Sequence, residues 1–367
     1  MPDAPVSINK APEITIHINN TNEKLTGWTG FQVVRAIDAC ADAFAFSLPW
    51  DPTFENKKRF LPYSPGVIKI FGGSEQFLLG YIEVVSVSSA SGQRVINLQG
   101  RSASGGLLDW SAGSIWDRSA QTFSSETVFE LQGRTFNQIA RKMAAAHIVK
   151  AVPDTAPIND VSIEPGQTLF DFLSKLAAAN GYFGRALPTG ALEYRNDLGK
   201  TPPVCDLIEG GSPVLSINTN HDVTKRFWKY KIVASSTGQP NVKAEAKDTK
   251  LSPAIRGIKI IQPSQQSADY QKAANLARAR GLIDSYSATV TVSGFTYKTP
   301  GGIGKFWQAG DVVRVHAPGA FILKFTKLII KRVTFSLDEN GGQISTLELG
   351  LPEAYSGGYP KEFPWED

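Results

Sequence analysis

Apolar and polar residues alternate over much of the first hundred positions. Ile14, Ile16 and Ile18 share one side of the segment 13–18, the period of a half-buried strand. Residues 67–71 (VIKIF) run through Gly72-Gly73 into 77–85 (FLLGYIEVV), which predicts a hairpin. Residues 94–99 add a strand after Ser91-Gly92. The chain to about residue 110 therefore predicts a small all-β unit. The period then lengthens. Thr135 and Gln138 have capping-box spacing, and Phe136, Ile139, Ala140 and Met143 follow at helical intervals. A second helix is predicted from Thr168, with Asp171 in its first turn and Asn180-Gly181 as its stop. Its apolar stripe is Leu169, Phe172, Leu173 and Leu176. A Pro/Asp-rich connector, 152–165, separates the helices, and Pro188 to Gly190 forms a turn before 191–194. Beyond residue 205 alternation returns at 214–217, 227–233, 288–292, 311–315, 322–333 and 344–351, with Asn340-Gly341-Gly342 as a tight turn. A third helix is expected over 267–282, with Ala273, Leu276, Ala277 and Arg280 at helical spacing. The polar, Lys-rich stretch 235–255 reads as a long exposed loop.

This order of β unit, α/β unit and β unit suits 367 residues at about 150 per domain. The 33 glycines and 22 prolines exceed the ordinary share and punctuate many short strands. A hydrophobic fraction of 42% excludes disorder. The net charge of +4 argues against a dedicated nucleic-acid binder, which concentrates Lys and Arg in a basic domain. The N-terminus has no secretory-signal pattern, and no run of about 18 apolar residues occurs. The segment 321–330 is broken by Lys324 and Lys327. Synthesis in a reducing cytoplasm is expected, with Cys40 and Cys205 as buried, inert thiols.

Catalytic motifs are missing. There is no HExxH, CxxC or Walker loop. GGIGK at 301–305 lacks the Walker order, and GRSAS at 100–104 has Ser104 where a nucleophile elbow needs glycine. Both read as turns. Glu126 and Glu130, close in sequence to Trp110 and Trp116, would suit a cell-wall hydrolase, but chance pairs are expected among 34 acidic residues. His147 reads as a packed or capping residue and His316 as a surface residue. The clusters Lys57-Lys58-Arg59, Arg278/Arg280 and Lys324/Lys327/Lys331/Arg332 read as solvated faces, with weak contact to a passing polyanion as the functional alternative. No cofactor or metal is expected.

Four ordered segments resemble a known family. They are 30–38 (GFQVVRAID) with 43–48 (AFAFSL); 80–85 (GYIEVV) with 98–111 (LQGRSASGGLLDWS); 167–182 (QTLFDFLSKLAAANGY); and 290–294 (VTVSG) with 307–315 (WQAGDVVRV) and 328–336 (LIIKRVTFS). Together they are similar to baseplate hub proteins of Mu-like contractile-tailed phages, related to late-control tail proteins and to the base of type VI secretion spikes. The resemblance implies an α+β, mainly β fold. Two small β-barrel-like domains, 1–115 and 206–367, would flank an α/β insert at 116–205, and three chains would form a ring. It implies a non-enzymatic hub that joins tail tube to spike, lets DNA pass without specific binding, makes no integral membrane contact, and sits in the virion baseplate after assembly in the host cytoplasm. The chain shows no β-helical spike, which favours a separate spike protein. A type VI spike base is the nearest alternative, and a tail-associated hydrolase the more distant one. Within this frame Gly100, Arg101, Asp109, Trp110, Gly310 and Asp311 take turn and packing roles. Asp109 would accept backbone bonds, and Trp110 would pack beneath that corner.

Overall fold

The computed structural model describes residues 13–18, 24–25, 27–53, 60–61, 63, 66–90, 92–112, 114–117, 122–125, 131–144, 149–151, 157–158, 161–164, 166–236, 239–261, 270–298, 304–337, 342–356 and 358–366. The first third forms β1 (Ile14–Ile18), β2 (Lys24–Leu25), β3 (Gly30–Ala36), β4 (Ala43–Pro49), β5 (Val67–Gly72), β6 (Glu75–Ala90) and β7 (Gln93–Ser102). The short helix α1 (Gly106–Asp109) follows. The middle holds β8 (Ser114–Asp117), β9 (Thr122–Ser125), α2 (Phe136–Met143), β10 (Val149–Ala151), α3 (Leu169–Ala179), β11 (Phe183–Ala186) and β12 (Leu192–Arg195). The last third holds β13 (Asp206–Ile208), β14 (Val214–His221), β15 (Lys229–Ser236), β16 (Gln239–Lys247), β17 (Ile258–Ile261), α4 (Tyr270–Ser285) and β18 (Tyr286–Ser293). It ends with β19 (Thr296–Lys298), β20 (Gly304–Phe306), β21 (Val312–Ala317), β22 (Ile322–Leu337) and β23 (Gln343–Gly350).

The fold is mainly β, as expected, but its two β units are not separate barrels. They share one 13-stranded sheet, in the order β14-β18-β23-β22-β3-β4-β7-β6-β5-β1-β2, with β21 on β22 and β13 on β21. The link is the antiparallel pair β3–β22, with Gln32 opposite Ser336 and Ala36 opposite Arg332. One core serves both halves: Phe31, Val33, Phe46, Ile70 and Phe77 belong to the same cluster as Val290, Val312, Phe335 and Leu347. The Phe77 and Phe335 rings lie 4.8 Å apart. No closed barrel occurs among the described residues. Period-two alternation fixes which side of a strand is buried, but not which strand lies beside it.

The α/β unit builds its own core on the sheet β10-β12-β11. Both helix starts are as read. Thr135 and Gln138 form the reciprocal capping box, and the Thr168 hydroxyl accepts from the Asp171 N–H at 3.1 Å. The predicted stripes are buried, and the Phe136 ring packs 5.0 Å from Tyr182 and 5.1 Å from Tyr194. Cys40 and Leu107, from outside the unit, complete this core.

Two expectations change in the last third. The stretch 235–255 is not a long loop: β16 runs antiparallel to β15, and β17 pairs parallel to β15 on its other side. The inward residues of β16 are Ala244 and Ala246, weak strand formers whose alternation with Lys and Glu is easily missed. The third helix is described from Tyr270, and 267–269 lie outside the described residues. It buries Ala274, Leu276, Ala279 and Leu282, not a single stripe, because it contacts the small sheet and the main sheet at once. Asp248 fastens this region. It accepts two bonds from Arg226, at 2.8 and 2.9 Å, and one from the Tyr359 hydroxyl.

Candidate assembly surfaces and the joints behind them

The residues singled out from sequence fall at two joints. At the first, β6 and β7 cross closely around a bulge between Ile82 and Val84. A Cβ at Gly100 would overlap the Tyr81 carbonyl and the Phe44 ring, and one at Gly80 would overlap the Arg101 carbonyl. Gly100 therefore works within a strand, by close approach, and not in a turn. Arg101 then binds across the corner. Its Nε donates to both Glu83 oxygens (2.9 and 2.7 Å), its Nη2 to both Asp109 oxygens (3.2 and 3.0 Å), and its Nη1 to the Gly105 carbonyl (3.3 Å). The flanking carboxylates hold its pKa above the ordinary arginine value. Asp109 thus accepts from this guanidinium, where backbone bonds had been expected. The Trp110 carbonyl accepts from the Leu169 N–H (2.7 Å), and the Trp110 ring packs on the α/β core.

The second joint is where three parts of the chain meet. Asp38 has φ +62°, a left-handed conformation that Asp tolerates better than most residues. Its N–H donates to the Gly184 carbonyl (2.7 Å), and its Oδ1 accepts from the Gly184 N–H (3.3 Å). Next along β11, Arg185 donates to Glu193 (2.9 Å) and to the Ala309 carbonyl (2.9 Å). Gly310 has φ +97°, and a Cβ there would lie 2.9 Å from Arg185 Nη1. Its N–H donates to the Ile330 carbonyl, and the Ile330 N–H returns a bond to the Asp311 carbonyl, both at 2.8 Å. Asp311 is largely buried. Desolvation pushes its pKa to about 6, against the pull of Arg185. Gly310 and Asp311 thus fall where the expected turn lies. Nothing local in the sequence marks Arg185, because its partners are 8 and 124 positions away.

A third joint ties β3 to the turn before β4. Arg35, buried on β3, pairs with buried Asp42 at 3.1 Å, stacks 4.2 Å above the Phe77 ring and donates to the Phe77 carbonyl. Burial raises the Asp42 pKa, and Arg35 opposes that rise. The signal was present as an arginine in an otherwise apolar alternation.

The surfaces suited to assembly lie outside these joints. Among the described residues, β14 is the last strand at one end of the main sheet and β2 the last at the other. Leu215, on β14, is exposed. On the outer side of β13, β21 and β22, Phe325 stacks on His316 with centroids 4.9 Å apart, and Arg314 lies 5.3 Å from its ring while pairing with Asp206. Nearby, Phe321 is 65% exposed and has φ +58°, a strained geometry for a bulky residue. A groove of about 800 Å³ opens beside Trp50 and Arg94.

Among the described residues, candidate chemistry does not gather. Glu126, Glu130, His147, the cluster at 57–59 and 301–303 lie outside the described residues. No group of three metal-ligating side chains occurs among the described residues, and no described helix is long and apolar enough to cross a membrane. Cys40 is buried and Cys205 half-buried, and desolvation raises both thiols to about 12. Of the late basic cluster, Lys331 donates to the Ile283 carbonyl and Arg332 pairs with Glu348, which leaves Lys324 and Lys327 on the exposed side.

No protein-family model matches the sequence, and no curated protein sequence gives a significant match. Solved structures do match. A 43 kDa tail protein of prophage MuSo2 from Shewanella oneidensis shares 22% identity at TM-score 0.75, covering 93% of this chain and 99% of that one. A tail protein from Neisseria meningitidis gives 22% identity and TM-score 0.75 over 95% and 99%. A component of the E. coli type VI secretion system, itself similar in structure to T4 tail proteins gp27 and gp5, gives 12% and 0.55 over 95% and 79%. The chain has the fold of these tail proteins.

Proposed function

We propose that the chain is the structural hub of a phage-tail baseplate. Three copies close into a ring that joins the tail tube to the spike and passes DNA without binding it specifically. The observation that carries this reading is the single 13-stranded sheet with terminal strands at both ends, in a chain whose fold matches prophage tail proteins along nearly their full length. Open edges seek partners, and a head-to-tail contact that closes makes a ring. Exposed Phe321 and Phe325, the latter with Arg314 beside its ring, are of residue types enriched at protein interfaces. The work is mechanical and not catalytic, in a virion tail assembled in the host cytoplasm. The divisions 1–115, 116–205 and 206–367 are its working parts.

Light scattering tests this directly. A mass of three chains, and a micrograph showing a ring with a central hole, are expected. Monomer at every concentration, with no ring on adding tube or spike protein, overturns it. The ring lumen is expected to be mixed or mildly acidic, because a strongly basic channel would retain a polyanion, with 243–250 outward. A ring structure with those residues lining the channel refutes that placement. Likeness to the E. coli secretion component supports a second reading, a type VI spike base. Neighbouring genes separate the two: sheath, tube and tape-measure genes for a phage, a secretion ATPase and membrane complex for the other.

A further inference from the structure

Charge is distributed very unevenly along this chain. Residues 223–261 contain nine Lys and Arg residues and two Asp and Glu residues, a net of +7, whereas the whole chain is +4, so the remainder is −3. Five of these cations, Lys229, Lys231, Lys243, Lys247 and Lys259, lie with one acidic residue, Glu245, on the sheet β16-β15-β17. One side of it, with Tyr230, Ile232, Ala244 and Ala246, is buried against α4. The other side follows from the register: Lys229 is opposite both Lys247 and Ile258, and Lys231 is opposite both Glu245 and Ile260. Ile258 is 45% exposed and Ile260 67%. Half-buried Trp228 immediately precedes β15, with the Lys229 and Lys247 ammonium groups 4.9 and 6.0 Å from its ring. Glu245 pairs with Lys229 (3.2 Å) and Lys231 (3.3 Å).

We propose that this side of the small sheet rests on an anionic membrane surface. Such a surface accounts for both halves of the pattern. Lysines meet the lipid phosphates, Trp228 takes the interfacial position, and the two isoleucines leave water for the acyl boundary. A nucleic acid would use the cations and the indole but leave the isoleucines wet. The inference is independent of the ring and adds a peripheral envelope contact to it.

The test is co-sedimentation of the full chain with vesicles of phosphatidylglycerol and phosphatidylcholine, with phosphatidylcholine alone, and with a single-stranded oligonucleotide in parallel. Binding to the anionic vesicles and not to the neutral ones is expected. K231Q/K247Q should weaken it about thirtyfold, at about fivefold per cation. I258N/I260N should weaken vesicle binding about fivefold and leave oligonucleotide binding unchanged. If the lysine variant misfolds by circular dichroism, about 0.5 M salt on the unaltered protein should give a comparable loss, because screening shortens the field to a few ångströms. No vesicle binding, equal binding to both vesicles, oligonucleotide binding without vesicle binding, or isoleucine variants that bind vesicles as tightly as the parent each overturn the proposal.

Discussion

At Gly100 a single hydrogen replaces a side chain because the Tyr81 carbonyl occupies the space where a Cβ would go. Gly100→Ala forces two paired strands apart and should cost about 3 kcal/mol, read as a lower urea midpoint with an unchanged slope. Gly257→Ala, at a position with nothing within 4 Å, should change the midpoint little. Asp311 gives a pH signature. Burial raises its folded-state pKa from 3.8 to about 6. Between those values the folded chain keeps a proton that the unfolded chain has lost, so stability falls as pH rises from about 4 to about 6 and then levels. Asp42 titrates in the same direction, so the comparison with a variant isolates the site. Asp311→Asn should lose about 2 kcal/mol less than the parent across that window, measured by urea unfolding at both ends. The sequence marked Gly100 and Asp311 as structural positions. The strand crossing at one and the desolvation at the other come from partners remote in the chain, and neither is encoded in the residues alongside them.

Among elements, helix starts were the most legible, because a cap is written in four consecutive residues. Thr135→Ala removes the acceptor for the Gln138 N–H and should cost about 1 kcal/mol, seen as a lower denaturation midpoint, with Thr135→Ser as the near-neutral control. Strands were legible where isoleucine, valine and phenylalanine alternate, as in β1, β5 and β21. They were illegible in β16, where alanine carries the inward positions and the burial is supplied by α4, some 30 residues later. The helix α4 shows the converse. A helix covered from two directions has no single stripe, so Ala273, Ala277 and Arg280 looked as good as the residues it buries.

For the whole molecule, the run of strands, then helices, then strands was legible, and the pairing of its two ends was not. The register of β3 on β22 joins residues roughly 300 positions apart, and nothing local in either strand names the other. Since β3 completes its pairing on a strand from the last third, the segment 1–115 expressed alone should unfold without a cooperative transition, whereas the full chain should melt cooperatively; calorimetry distinguishes them. The same strand pair also sets a timetable. At about 5–20 residues per second, a ribosome that has finished β3 needs roughly 15–60 s more to deliver β22. Throughout that interval the nascent chain carries an unclaimed strand edge, the feature that invites pairing with a neighbouring nascent copy. Delivery of β22 thus ends the exposure: a product truncated before residue 322 would keep the β3 edge unsatisfied, whereas one that includes β22 covers it.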